Sequence, residues 1–294
     1  MRFKAIYVMT PAQYQAGGIE SLYQLIDGIN RLGGKAIPIF DRHCSNPVLN
    51  IYAHYKFSEY GFSVPDEAES LLIVPEVWTA MLPSFKSISR AIWWLSVDNN
   101  HSKFQDFHDT SITHFCQSRY AYDYVTRNGA KNVHMLNDYI FGANTIQDIP
   151  LSEKQDFVCY NPAKGYEVTM QIMTENPNID FRPISGLNRE QVIDLLCKSK
   201  IYIDFGNHPG KDRIPREALL FGNCVITNRK GSAAFSEDVT VPDMYKLGDH
   251  RMIGEVIRRC LTSYETIIDE FANSKNILKH QCSDLDMQIK EYLL

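Results

Sequence analysis

Short apolar runs rich in β-branched and aromatic residues recur along the chain, at 3–9, 35–40, 71–74, 91–97, 112–116 and 132–136. Their length and composition predict buried strands. Between several of them the apolar positions switch to helical spacing. The clearest case is 19–32, where Ile19, Leu22, Tyr23, Leu25, Ile26, Ile29 and Leu32 form one stripe closed by Gly33-Gly34, a helix stop. Buried strands alternating with helices predict a parallel α/β sheet.

The stretch 137–156 interrupts this pattern. It is polar, broken by Gly142 and Pro150, and reads as an interdomain linker. The alternation then restarts, with strands predicted at 156–160, 179–183, 200–204 and 223–227 and helices at 164–175, 189–198 and 213–221. Asn188 is placed as an N-cap and Gly222 as the glycine that ends a helix. From about 249 the spacing is helical throughout, with Ile253, Val256, Ile257, Cys260 and Leu261 on one stripe and Ile267, Ile268, Phe271, Ile277 and Leu278 continuing it. The restart divides the chain into an N-terminal domain over 1–145, a C-terminal domain over 146–265, and helices over 266–294 expected to pack back toward the first domain. With 294 residues in all, both domains are close to minimal.

Composition narrows the function classes. Thirty Lys and Arg against 35 Asp and Glu leave a formal charge of −5, which disfavours binding nucleic acid through a basic surface. At 44% hydrophobic and 22% charged, the chain supports a sizeable core. No apolar stretch approaches the ~18–20 residues of a membrane helix. The first run is cut by Thr10-Pro11 and is too short for a signal-peptide core. The expected address is cytoplasmic, with peripheral contact at the inner face of a membrane left open. The seven cysteines are odd in number and widely spaced, without C-x-x-C, and no H-E-x-x-H occurs, so neither a disulfide framework nor a zinc pattern is present and no metal is expected.

Five segments carry polar chemistry at predicted strand ends. Gly17-Gly18-Ile19-Glu20 opens a helix after the first strand, where glycines allow close backbone approach and a helix N-terminus favours anions. It lacks the third glycine of a dinucleotide fingerprint, which argues against a dehydrogenase. The run 200–217 passes from a strand through Gly206, Pro209 and Gly210 into a helix, and gathers His208, Lys211, Asp212, Arg213, Arg216 and Glu217. Beyond the carboxyl end of a parallel strand, Lys211 and Arg213 stand where a diphosphate needs cations. An Asp212–Arg216 pair on a solvated helix start is the plain alternative. Asn228–Phe235, containing Gly231 and Ser232, offers small residues that admit backbone N–H groups to a ligand. Asn161–Gly165 puts Lys164 near a helix N-terminus. Finally, 93–100 ends an apolar run in Asp98, placed either as a general base facing a cleft or as the cap of a helix beginning near Asn100.

Taken in order, these features resemble the C-terminal half of GT-B-fold glycosyltransferases. The residues that carry the resemblance are Lys164-Gly165 and the run Glu217-Ala218-Leu219-Leu220-Phe221-Gly222-Asn223-Cys224-Val225-Ile226. The N-terminal half is similar to the same group in Gly17-Gly18-Ile19-Glu20 and, over 112–140, in Ser118, Gly129 and Asn137-Asp138. The resemblance implies two Rossmann-like domains and transfer of a sugar from a nucleotide-sugar donor to a glycan or lipid-linked acceptor, as in cell-surface polysaccharide synthesis. It implies that Glu217 binds the donor ribose and that Lys164, with Arg213 or Lys211, holds the diphosphate. The nucleotide-sugar is then a substrate, with no resident cofactor. Asp98 is taken as the catalytic base and Glu20 as its alternative. One departure is that Pro209 occupies the position eight before Glu217, where many retaining members carry a first glutamate. His208-Pro209 is similar to a dipeptide of transferases that use CMP-sugars. Two rival classes remain: a sugar-nucleotide epimerase of the same fold, and a non-catalytic carbohydrate or nucleotide-binding module. The aromatic residues Tyr52, Tyr55, Phe57, Tyr60 and Phe62 suit either a sugar-stacking surface or a packed insertion.

Overall fold

A computed structural model describes residues 2–101 and 103–294. The chain forms two compact units. The first consists of the residues up to Tyr139 together with Pro209–Lys211 and Gln281–Leu294, and the second of Ile140–His208 and Asp212–His280. The change of unit therefore falls at 139/140, where the sequence reading put it at 145/146.

The first unit is built on six parallel strands: β1 (Ile6–Thr10), β2 (Ala36–Phe40), β3 (Leu71–Pro75), β4 (Ser89–Trp94), β5 (Ile112–Cys116) and β6 (Val133–Met135). Their order is β2-β1-β3-β4-β5-β6, with Val8 opposite both Pro38 and Ile73. Successive side chains of a strand point to opposite faces, and here both faces are covered. Ile6, Val8, Leu71, Ile73, Ala91 and Trp93 face Leu22, Leu25, Ile26 and Ile29 of α1 (Gly17–Arg31). Tyr7, Met9, Leu72, Val74, Ile92 and Trp94 face Ala121 and Val125 of α2 (Arg119–Arg127). The α1 face is completed by Leu285, Ile289 and Leu293. Gly28 of α1 makes that approach possible, since a Cβ there would lie 2.7 Å from Ile289 Cδ1. Arg31 adds a two-pronged ion pair to Asp286, at 2.6 and 2.8 Å.

The second unit carries four parallel strands, β7 (Gln155–Tyr160), β8 (Asp180–Pro183), β9 (Ser199–Asp204) and β10 (Cys224–Thr227), in the order β10-β9-β7-β8. Its helices are α3 (Tyr166–Glu175), α4 (Arg189–Lys198), α5 (Arg213–Leu220), α6 (His250–Thr262), the short α7 (Tyr264–Ile267), and the part of α8 (Ala272–Tyr292) that runs up to His280. Lys154 is buried in this unit, and its Nζ donates to the carbonyls of Leu196, Ser199 and Phe221. It thereby satisfies acceptors at the C-terminal ends of α4 and α5 that helix geometry leaves open. Burial pushes its ammonium down to about 8.

The structure departs from the sequence pattern in identifiable places. The run 91–97 forms a strand only to Trp94, because the buried Glu76 carboxylate takes the N–H groups of Leu95 and Ser96. Helix α2 had no predicted counterpart. The stretch 137–156 is more than a linker, since Asp138, Tyr139, Ile140 and Ala143 are buried. Tyr52 and Tyr55 are also buried, with ring centroids 4.8 and 6.2 Å from Tyr23, so these two belong to a packed insertion. Among the described residues, no helix is long and apolar enough to cross a membrane.

The end of the chain is thus core material for the first unit. All three tryptophans, Trp78, Trp93 and Trp94, lie in that unit, so their fluorescence reports its unfolding. Ile289→Ala should lower the stability of the first unit in urea by ~2–5 kcal/mol, the usual cost of such a core truncation. An unchanged tryptophan transition would contradict the packing described.

Candidate functional site

Ligands of parallel α/β sheets bind beyond the carboxyl ends of the strands, where the strand order reverses. In the second sheet the chain goes from β7 to β8, then returns to lay β9 on the other side of β7, so the reversal lies between β7 and β9. The loops that follow these two strands are Asn161–Gly165 and Phe205–Asp212. Both lead into helices, α3 and α5, that no side chain caps among the described residues. By contrast, α4 has a full capping box on Asn188 and Gln191, and Ser118 caps α2. The positive ends of the two switch-point helices thus face this edge without a side-chain cap.

Between those loops lies a polar network, buried at Asp204 and His208 and partly exposed at Lys164 and Asp212. Lys164 Nζ is 2.7 Å from Asp212 Oδ1, and His208 Nδ1 is 2.9 Å from Asp212 Oδ2. His208 Nε2 stands 3.8 Å from Asp204 Oδ1. Asp204 in turn accepts from Tyr202 Oη at 3.1 Å and from the Gly206 N–H at 3.0 Å. Burial pushes the Asp204 carboxyl up. Burial also acts to raise Asp212, but its bonds to His208 and Lys164 outweigh this and hold it below the usual carboxylate range. Asp204, His208 and Asp212 offer ligand atoms all within 4.8 Å of one another, a set the sequence reading did not single out. Lys164 already supplies a cation to one member of that set.

Close backbone approach shapes the same edge. Gly165 has φ +59°, and a Cβ on it would lie 2.4 Å from the Phe205 carbonyl carbon. Gly231 has φ +58°, and its Cβ would meet the His208 carbonyl oxygen at 2.1 Å. The Ser232 N–H donates to that His208 oxygen, and Asn228 Nδ2 donates to Gly206 O. The loops after β7, β9 and β10 are locked together this way.

Glu217 of α5 is buried, and both its oxygens accept from Arg189, at 2.6 and 2.8 Å. Arg213 Nε lies 3.7 Å from the same carboxylate. Glu217 is therefore one half of a bidentate pair, and Arg189 is a site residue that sequence reasoning missed. Arg216 donates from Nε to the Asp212 backbone carbonyl, whereas the Asp212 carboxylate is held by Lys164 and His208.

In the first unit the strand order reverses between β1 and β3. Gly17 and Gly18 open α1 there, again without a side-chain cap among the described residues. Glu20 sits in the first turn and accepts from Tyr55 Oη at 2.9 Å. Asp98 is exposed in a 3-10 turn, Val97–Asn99, with Tyr120 Oη 3.4 Å from its Oδ1. No helix begins at Asn100, whose Oδ1 instead accepts from the Phe104 N–H, so Asp98 is not the helix cap the sequence allowed. Lys211 belongs to this unit: it is buried, with Nζ 3.4 Å from Asn137 Oδ1 and its backbone N–H 3.4 Å from Gln117 Oε1. Gly210 is pressed so tightly on Leu95 that a Cβ would come within 2.1 Å of the Leu95 oxygen.

No protein-family profile matches the chain, and no curated protein matches it in sequence. Solved structures do match in fold. The chain is similar to Alr3699/HepE of Anabaena in complex with UDP-glucose, with a TM-score of 0.69 at 11% identity over 98% of this chain and 99% of that one. It is similar to AviGT4, a glycosyltransferase involved in Avilamycin A biosynthesis, with a TM-score of 0.59 at 14% identity over 98% and 96%. It is also similar to T4 phage BGT in complex with its UDP-glucose substrate, with a TM-score of 0.58 at 10% identity over 98% of both chains. The fold is the GT-B architecture, α/β with two parallel-sheet units, as the sequence resemblance implied, and with the helical C-terminal tail that the apolar spacing predicted.

The buried Glu76 beneath Leu95-Ser96 makes this part of the first unit sensitive to pH. Burial pushes its carboxyl up to about 7 from the ordinary 4.5, against the lowering effect of its backbone N–H bonds. The folded state then binds the extra proton between those values, so the stabilisation is full below pH 4.5 and lost as pH rises through 7. Its size is about 3 kcal/mol. Urea unfolding followed by tryptophan fluorescence at pH 5 and pH 8 should show this loss in the native chain and a flatter response in Glu76→Gln; equal slopes would refute the assignment.

Proposed function

We propose that the protein is a glycosyltransferase that moves a sugar from a nucleoside-diphosphate sugar to a hydroxyl of a glycan or lipid-linked acceptor, in synthesis of a cell-surface polysaccharide or glycoconjugate. The observation that carries this is the switch-point cluster of the second unit, where Lys164 stands between two helices whose N-termini have no side-chain cap. A leaving diphosphate needs positive charge fixed in place before the bond breaks, so that no reorganisation is required as charge develops. Lys164 supplies a point charge, the N-termini of α3 and α5 supply aligned N–H groups, and Arg213 lies on the first turn of α5. In this reading Gly165, Gly206 and Gly231 let the backbone come close to the phosphates, and Ser232 follows them. The ribose hydroxyls fall to the Arg189–Glu217 pair, whose guanidinium side chain is 54% exposed while the carboxylate is buried.

On the first unit, Asp98 is the base that takes the acceptor proton, with Glu20 as the alternative. Asp98 is the better placed of the two for solvent-borne acceptors because it is exposed, whereas Glu20 is held by Tyr55. The donor assigned first is a UDP-sugar, supported by the UDP-glucose found with two structures of the same fold. His208, whose dipeptide with Pro209 suggested a CMP-sugar, is fully buried and bonded to Asp212; a CMP-sugar is the alternative donor. The nucleotide-sugar is substrate rather than cofactor, and the protein works in the cytoplasm, at or near the inner face of a membrane.

Thermal shift against UDP, GDP, dTDP, ADP and CMP tests the donor site. UDP should stabilise the protein, and Lys164→Ala should weaken that binding by about 10–100-fold, the worth of one charge-assisted bond. Asp98→Asn should leave UDP affinity unchanged while lowering kcat by ~10²–10⁴. An isomerised donor formed without acceptor would establish the epimerase instead, and binding without any turnover would establish a non-catalytic module.

A further inference from the structure

Three cavities of the first unit differ in chemistry. One of about 370 Å³ lies toward the amino ends of the strands and is lined by charged groups that include Arg2, Glu69 and Arg90. A second, of about 390 Å³, is again ionic, with Lys86, Arg90, Asp106 and Asp109. The third, of about 590 Å³, follows the carboxyl end of β4 and is lined by Asp98, Asn100, Gln105 and Asn128 together with the rings of Tyr120 and Tyr124.

The third cavity combines two kinds of surface. Asn and Gln side chains present a carbonyl acceptor and an amide donor in one plane, the pattern that matches neighbouring hydroxyls, each of which both donates and accepts. Aromatic rings offer an apolar face for the C–H side of a sugar ring. The floor is aromatic: Phe107 stacks on Trp94 with centroids 5.7 Å apart, Phe104 meets Trp94 edge-on at 6.1 Å, and Asn100 Oδ1 accepts from the Phe104 N–H. Its volume falls in the usual ~300–1,000 Å³ range of small-molecule sites. An ionic ligand would find one ammonium, Lys103, beside one carboxylate, Asp98, and so no net charge to favour it.

We infer that this cavity is a pyranoside subsite, binding a neutral sugar ring of the acceptor beside Asp98. The inference rests on the glycosyltransferase reading for the word acceptor, but the binding of a neutral sugar here is a property of this cavity alone. Gln105 engages hydroxyls through its amide and Asn128 through its amide oxygen, its Nδ2 donating to the Tyr124 carbonyl at 2.8 Å; Tyr120 and Tyr124 line the ring face, and Asp98 stands at the same wall with its Oδ1 3.4 Å from Tyr120 Oη. Specificity for the acceptor ring then lies with Gln105 and Asn128, both exposed on the rim.

The test is saturation-transfer NMR on the full chain without nucleotide, irradiating aromatic protons. The probes are the methyl α- and β-glycosides of glucose, galactose and N-acetylglucosamine, at millimolar concentration. At least one glycoside should receive transfer, and the double variant Gln105→Ala/Asn128→Ala should reduce it fivefold or more. Both residues are exposed, so the double variant is expected to keep its circular dichroism and its stabilisation by UDP. Tyr120→Phe, which keeps the ring, should retain most of the transfer, while Tyr120→Ala should not. Absence of transfer to every probe, or transfer that survives the double variant, would overturn the subsite. Glycoside binding by a protein that UDP does not stabilise would keep the subsite and sink the donor reading, and UDP stabilisation without glycoside binding would do the reverse.

Discussion

Asp212 is the residue on which the second unit's site depends. One of its oxygens holds Lys164 and the other holds His208, so a single carboxylate ties the loop after β7 to the loop after β9. Lys164 and Asp212 are partly exposed, whereas His208 is fully buried, so losing the Asp212 carboxylate would leave the buried imidazole without its partner. The pairing keeps Asp212 ionised despite burial, while Asp204, on the far side of the same imidazole, is pushed up by burial. His208 thus stands between two carboxylates whose surroundings act in opposite directions.

The network also explains the density of glycine at this edge. Once the β7 and β9 loops are drawn together by Asp212, Gly165 lies against Phe205 and Gly206 against the Lys164 Cβ, at distances no side chain tolerates. Gly231 then brings the β10 loop against His208. Charge pairing sets the distances between loops, and glycine meets the steric demand that results. Helices α3 and α5 begin at this edge without a side-chain cap, in contrast to α4, whose capping box closes its own N-terminus.

Much of this was legible along the chain. Strand β5 coincides with the predicted 112–116, and α4 covers the predicted 189–198 with Asn188 as its cap. These succeed because local propensity, apolar period and capping agree. The reading failed where a distant residue decided. Leu95 and Ser96 look like strand, but Glu76, far back in the sequence, takes their N–H groups and ends the strand early. Arg189 reads as the first residue of an ordinary helix, and nothing near it announces the pair with Glu217, 28 residues away. Asp204, His208 and Asp212 do carry a signal, a spacing of four and four, yet they lie mostly in a loop, where such spacing has no fixed geometric meaning. Helix α2 was overlooked because it is short and its tyrosines blur the apolar stripe, although Ser118 is a recognisable cap.

The composition of the first unit has a consequence for how the protein is made. Residues up to Tyr139 are translated before the second unit, but the face of the sheet over α1 is incomplete without Leu285, Ile289 and Leu293. Domains of a nascent chain generally fold in order of synthesis. Here the first unit must wait for residues translated after the second unit, holding an apolar face open through that unit's synthesis. The fold is sequential in its strands and circular in its closure, and the interval between the two is when the chain is most exposed to aggregation and to chaperones.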